Sequence, residues 1–198
     1  MVTAQTRRHN ATRQEILDAA WAQAEESGVA GISLRELAAA VGMRAPSLYT
    51  YFASKDAIYD AMFTEAYEAL SRFSNEIVVE ATGLDRVDAL ALAAERFVRF
   101  CQDSPARYQL MFTRAVPGWE PAPEAYAVSV RSYTEMAEVL AGFGIMSQEA
   151  LDLYTAVSAG LAAQQMANDP AGDRWRRLAR SSMEMLVEHL DRTERGKT

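Results

Sequence analysis

The sequence predicts an all-α protein of nine helices in two domains, and three observations predict it. Apolar residues recur at intervals of three and four along most of the 198 residues, with no stretch alternating like a half-buried strand. Serine, threonine or aspartate heads many of the periodic segments, where its side chain can cap a helix. Glycine or proline closes most of them, as in "SGVAG", "AVG", "ATGLD" and "DSP".

Taken in order, Thr12 is placed to cap a first helix whose inner stripe is Ile16, Ala20 and Ala24, with Leu17 and Trp21 beside it. Ser33 opens the second in "SLRE", a capping box in which Ser33 bonds the Glu36 amide while Glu36 reaches back. Leu34, Leu37, Ala38 and Val41 give that helix one buried face, and Gly42 ends it. A third helix starts near Ala45, with Pro46 tolerated in the first turn. Ser54 caps a fourth from Lys55 to about Glu80, carrying Ile58, Met62, Ala66, Leu70, Phe73 and Ile77 on one stripe. Its length of roughly 39 Å is more than a three-helix unit needs.

Asp85 starts the fifth helix and Pro105 the sixth, "PARYQLMFTR". "AVPGWEPAP" is a loop before the seventh, from about Pro123 to Leu140. Ser147 caps the eighth, which runs to Asn168, and the ninth covers Asp173 to about Arg192. The expected division is 10–70 and 71–192, with a helix-turn-helix at 33–52.

Net charge is −7, against a uniformly basic nucleic-acid binder, but the charge is unevenly spread. Arg7, Arg8 and Arg13 fall in the first fourteen residues with no acid, and Arg35, Arg44 and Lys55 face only Glu36 between residues 27 and 55. From residue 61 onward acids outnumber bases. No run of 18 residues lacks charge, so no membrane span is expected. The chain has no secretory pattern and Cys101 is its only cysteine, which points to the cytoplasm.

On a helical wheel, Leu48 and Phe52 of "MRAPSLYTYFASK" turn inward with Ala45 nearby. Pro46, Ser47, Tyr49 and Thr50 turn outward and Tyr51 lies on the flank. A face of hydroxyls, rings and cations can approach phosphate and still touch base edges. Arg44 can fork onto a base or a phosphate, and Arg35 can reach the groove edge. Ser54 and Lys55 sit at a helix N-terminus that favours an anion. Arg7 and Arg8 are candidates for an arm in the minor groove.

Residues 10–70 resemble the N-terminal domain of the tetracycline-repressor (TetR) family of transcriptional regulators. The likeness is carried by "ILDAAWAQAEESGVAGISLRELAAAVGMRAPSLYTYFASKDAIYDAM". The resemblance implies a TetR-like fold, with DNA contacts from Arg35, Arg44, Ala45, Ser47, Tyr49, Thr50, Tyr51 and Lys55. It also implies a homodimer on a double-stranded operator and a C-terminal domain that binds a small effector and releases the DNA.

Helices eight and nine carry Leu151, Tyr154, Ala156, Ala159, Gly160, Ala163 and Ala167, then Trp175, Leu178, Met185, Leu186 and Leu190. Small residues let helices approach closely, so this pair is expected to form the dimer interface. Phe97, Phe100, Cys101, Tyr108, Met111, Phe112, Trp119, Tyr126, Tyr133 and Met136 are the expected lining of a pocket for an apolar or aromatic effector. Each of them is also an ordinary core residue by type.

Catalysis is not expected. Cys101 and His189 lie far apart in sequence, His9 and His189 form no metal cluster, and there is no glycine-rich phosphate loop or cofactor motif. The competing expectation is a constitutive DNA-binding or interaction module whose C-terminal domain only dimerises.

Overall fold

The computed structural model describes residues 3–195. Nine α-helices form among them: α1 (Ala4–Ser27), α2 (Leu34–Ala40), α3 (Ala45–Leu48), α4 (Lys55–Glu80), α5 (Arg86–Asp103), α6 (Pro105–Phe112), α7 (Pro123–Gly142), α8 (Gln148–Asn168) and α9 (Ala179–Arg195). Single 3₁₀ turns occupy Val29–Gly31 and Arg176–Leu178, and no strand occurs among the described residues. The chain is all-α, as its periodicity requires.

The caps at Ser33, Ser54, Asp85 and Ser147 act as the sequence predicts. Their side-chain oxygens accept from the amides of Glu36, Ala57, Asp88 and Ala150. Two expectations are corrected. The box at Ser33 is half-formed, because the Ser33 amide donates to Gln23 Oε1 at 2.8 Å instead of to Glu36. Helix α1 begins eight residues before its expected cap: Thr3 caps it, accepting from the Thr6 amide at 3.2 Å. No glycine or proline interrupts residues 4–14, so Arg7 and Arg8 ride on the helix and are not a free arm.

The chain divides into two compact units. The first holds residues up to Tyr67 together with Pro105–Ser129, and the second holds Glu68–Ser104 together with Val130 onward. The segment 105–129 thus packs with the N-terminal helices, although the sequence division at residue 70 assigns it to the C-terminal domain. Side chains account for this. Asp60 accepts from Trp119 Nε1 at 3.3 Å and from the Ala122 amide at 3.0 Å. The Trp119 ring lies 5.7 Å from the rings of both Tyr59 and Phe63.

Within the first unit, Ile16, Ala20, Leu37, Leu48, Phe52, Ile58 and Met62 form the centre of one core. Trp21 Nε1 and Gln14 Nε2 both donate to Glu65, tying α1 to α4. Within the second unit, α5 packs against both α8 and α9, with Leu90, Ala94, Val98 and Cys101 fully shielded. Ion pairs join its elements: Arg86 to Asp191 at 2.9 Å, Arg176 to Glu95 at 2.9 Å, and Arg180 to Asp88. Gln165, 0% exposed, organises the α8–α9 connection by accepting from the amides of Trp175 and Arg176 and donating to the Asp169 carbonyl.

Candidate nucleic-acid interface

The element that reads as an interface is short. Helix α3 has four residues, and three successive i→i−3 bonds extend it: Tyr49 to Pro46, Thr50 to Ser47 and Tyr51 to Leu48. One helical turn is unstable by itself, so other parts of the unit must hold it in place. Leu48 and Phe52 anchor it from inside, both buried, as the wheel predicts. The turn before it depends on Gly42 at φ +69°, a left-handed conformation that a side chain would strain. That turn also closes by a bond from the Met43 amide to the Ala38 carbonyl at 2.8 Å.

This anchoring faces Arg44, Pro46, Ser47, Tyr49 and Thr50 to solvent, with Tyr49 57% exposed. Arg35 is exposed in the first turn of α2. Ala45 is half-buried and packs towards the core, so it can offer no more than an edge. Tyr51 is also half-buried, and its ring stacks on His9 with centroids 4.9 Å apart. Lys55 is half-buried with Nζ 5.4 Å from the Tyr59 ring centroid, which leaves its ammonium steered by a ring face. The Ser54 oxygen accepts from the Ala57 amide at 3.1 Å, and its own proton stays available to a phosphate oxygen.

Sequence reasoning overlooked three residues here. Asp56 is exposed in the first turn of α4, beside Lys55, where it already complements the positive helix end. Arg13 Nη1 donates to the Tyr51 carbonyl at 2.9 Å and its guanidinium lies 4.0 Å from the Phe52 ring centroid. His9 and Arg13 are one turn apart on α1, and that i, i+4 spacing of polar residues was the available signal.

The ten residues expected to line one pocket do not share a unit. Tyr108, Met111, Phe112, Trp119 and Tyr126 belong to the first unit, and Phe97, Phe100, Cys101, Tyr133 and Met136 to the second. Trp119 fills space against Tyr59 and Phe63, and Phe112 packs edge-on to Tyr67 at 6.4 Å. In the second unit a groove of about 180 Å³ lies between α4 and α5. Phe73, Ile77 and Phe100 floor it and Glu76, Glu80, Arg96, Arg99 and Asp103 rim it. Glu80 and Arg96 pair across it at 2.6 Å. Only Phe100 is common to that groove and the expected lining.

Among the described residues no group of three His, Cys, Asp or Glu could hold a metal, and no helix is long and apolar enough to cross a membrane. Cys101 is buried in α5 and His189 is exposed on α9.

Residues 16–62 match the model of the bacterial regulatory proteins of the tetR family. An HTH-type transcriptional regulator of Mycobacterium bovis is 30% identical over 107 residues, which are 52% of this chain and 44% of that regulator. The match therefore spans less than half of the curated relative. A protein with unknown function from Rhodococcus sp. RHA1 superposes with a TM-score of 0.75 at 19% identity, covering 90% of this chain and 94% of that one. The transcriptional regulator FadR from Bacillus subtilis, in complex with stearoyl-CoA, superposes with a TM-score of 0.65 at 19% identity, covering 88% and 97%. These two likenesses show a common fold.

Proposed function

We propose that this chain, which carries a tetR-family domain at residues 16–62, is a ligand-responsive transcriptional repressor that binds a (pseudo)palindromic operator as a homodimer. The observation that carries the proposal is the reading turn. Its backbone is anchored by Leu48 and Phe52, while Arg44, Ser47, Tyr49 and Thr50 face outward and Lys55 flanks them. Hydroxyls and cations there bind phosphate, and Arg44 can address a base edge bidentately. Arg7 and Arg8, exposed on α1, add positive charge beside the duplex.

Dimerisation is supported by α8, which is apolar on both faces. Leu151, Tyr154, Leu161 and Ala162 turn inward, whereas Ala156, Ala159, Gly160, Ala163 and Ala167 are exposed at i, i+3, i+4, i+7 and i+11. Leu178, in the 3₁₀ turn before α9, and Met185 on α9 are exposed in the same way, Met185 at 72%. Leu186 and Leu190 are buried within the subunit, so the proposed face is narrower than the sequence set. A stripe of small residues allows a second copy to pack closely against it.

The effector is an apolar or aromatic small molecule bound by the second unit. Support is partly by fold analogy, since FadR of the same fold is seen with stearoyl-CoA. Release requires the effector to favour the DNA-incompetent state, by about 10⁴-fold to move a 99:1 population to 1:99. A constitutive DNA-binding module would lack that response.

Fluorescence anisotropy on the DNA flanking the gene tests the reading. Wild-type affinity should fall steeply with salt, and Lys55→Ala should reduce the slope by about one counterion. Arg44→Ala should relax preference at one position per half-site, at about 1–3 kcal/mol. Titration with acyl-CoA thioesters and aromatic acids should release the DNA. Binding that no such compound weakens would favour the constitutive module.

A further inference from the structure

Arg13 is half-buried and its two bonding modes converge on the end of the reading turn. Nη1 donates to the Tyr51 carbonyl at 2.9 Å, and the guanidinium carbon lies over the Phe52 ring, 4.0 Å from its centroid. One turn earlier on the same face of α1, His9 stacks on the Tyr51 ring at 4.9 Å and 24°. Tyr51 and Phe52 end the segment whose outward side carries Ser47, Tyr49 and Thr50.

We propose that Arg13, assisted by His9, is a positioning residue for sequence readout: it clamps the carbonyl end of the reading turn and so fixes the angle at which Ser47, Tyr49 and Thr50 meet the bases. The inference rests on the DNA-binding reading above.

The physical need is specific. The local backbone bonds satisfy the carbonyls of Pro46, Ser47 and Leu48 but end there, so the Tyr51 carbonyl lies past them, four residues before α4 begins. Leu48 and Phe52 seat the turn in the core, and a charged donor on the Tyr51 carbonyl adds a constraint at its trailing end. The planar guanidinium can donate in its plane while stacking through its face, which an ammonium cannot. Because the charge is turned onto a carbonyl and a ring, Arg13 contributes to preference among sequences and not to counterion release.

Arg13→Met keeps the stem over Phe52 and removes donor and charge. Three measurements apply: amide hydrogen exchange, salt slope, and selection of binding sites from a random pool. The expected result is faster exchange at the amides of Thr50, Tyr51 and Phe52 by about tenfold or more, with α5 unchanged. Operator affinity should drop by about tenfold with an unaltered salt slope, and preference should blur at the positions read by Ser47, Tyr49 and Thr50. Wild-type exchange together with wild-type preference overturns the assignment. So does a salt slope lowered by about one with preference intact, which would make Arg13 a phosphate ligand.

Should Arg13→Met fail to fold, Arg13→Lys carries the same readouts, with a smaller loosening expected and wild-type behaviour again overturning the proposal. If the wild type binds no DNA, the proposed function fails while the exchange measurement still decides whether Arg13 holds the turn.

Discussion

The reading turn and the outer face of α8 are both exposed surfaces, yet they are built in opposite ways. Helix α3 is four residues long and is held by burial of its own Leu48 and of Phe52 just after it, with Arg13 and His9 reaching from α1. Helix α8 has 21 residues, supplies its own regularity, and displays alanine and glycine where a solvated helix would carry charge. The first surface presents donors and rings in a fixed geometry, suited to a partner made of charge and base edges. The second presents little but closeness, suited to another helix. Placement has to be imposed on the one, and the other needs only an absence of bulk.

Breaking each surface by its own logic tests the contrast. The largest effect is expected from Leu48→Ala, which leaves a cavity beneath the reading turn and should cost about 2–5 kcal/mol in the first unit. Thermal denaturation would register it together with a loss of operator binding. If stability drops while DNA affinity survives, the turn does not depend on its inner anchor and the contrast fails.

Ala163→Glu comes next. The site is exposed, so the subunit should fold normally, but in an isologous interface the charge appears twice. Sedimentation should show dimer dissociation shifted by at least about 10², or roughly 3 kcal/mol, with helical circular dichroism unchanged. An undisturbed dimer would place the interface elsewhere and leave the α8 stripe unexplained.

The smallest effect sharpens the comparison through two tyrosines, one in each unit. The Tyr67 phenol is pushed up to about 12 by burial first and by Tyr126 second. Burial also raises Tyr154, in the second unit, against a lowering bond from Ser158. An unfolded phenol titrates near 10, so each raised group contributes stability fully below about pH 10 and loses it as pH rises through the folded value. Tyr67→Phe should flatten the stability profile between about pH 10 and 12, while the part due to Tyr154 persists at higher pH. A profile identical to wild type would mean that Tyr67 is wetter than its surroundings imply.

Much of the fold was legible because its determinants are local. Ser33, Asp85 and Ser147 each cap a helix by bonding an amide three residues on, and Gly42 takes the backbone angle that its turn demands. The inward turn of Leu48 and Phe52 follows from helical period alone. The pocket set was less legible: type and period mark Trp119 as apolar and aromatic, but cannot say that Asp60 and two rings of the first unit engage it.

By itself, then, the sequence determined the helical class, the caps at Ser33, Ser54, Asp85 and Ser147 and the outward chemistry of residues 44–55, because all three are set within a few positions along the chain. Tertiary structure alone decided that Arg13 grips Tyr51 across 38 positions and that Trp119 bonds Asp60 across 59. Contacts at such separation depend on where whole helices come to rest, and no local spacing encodes that.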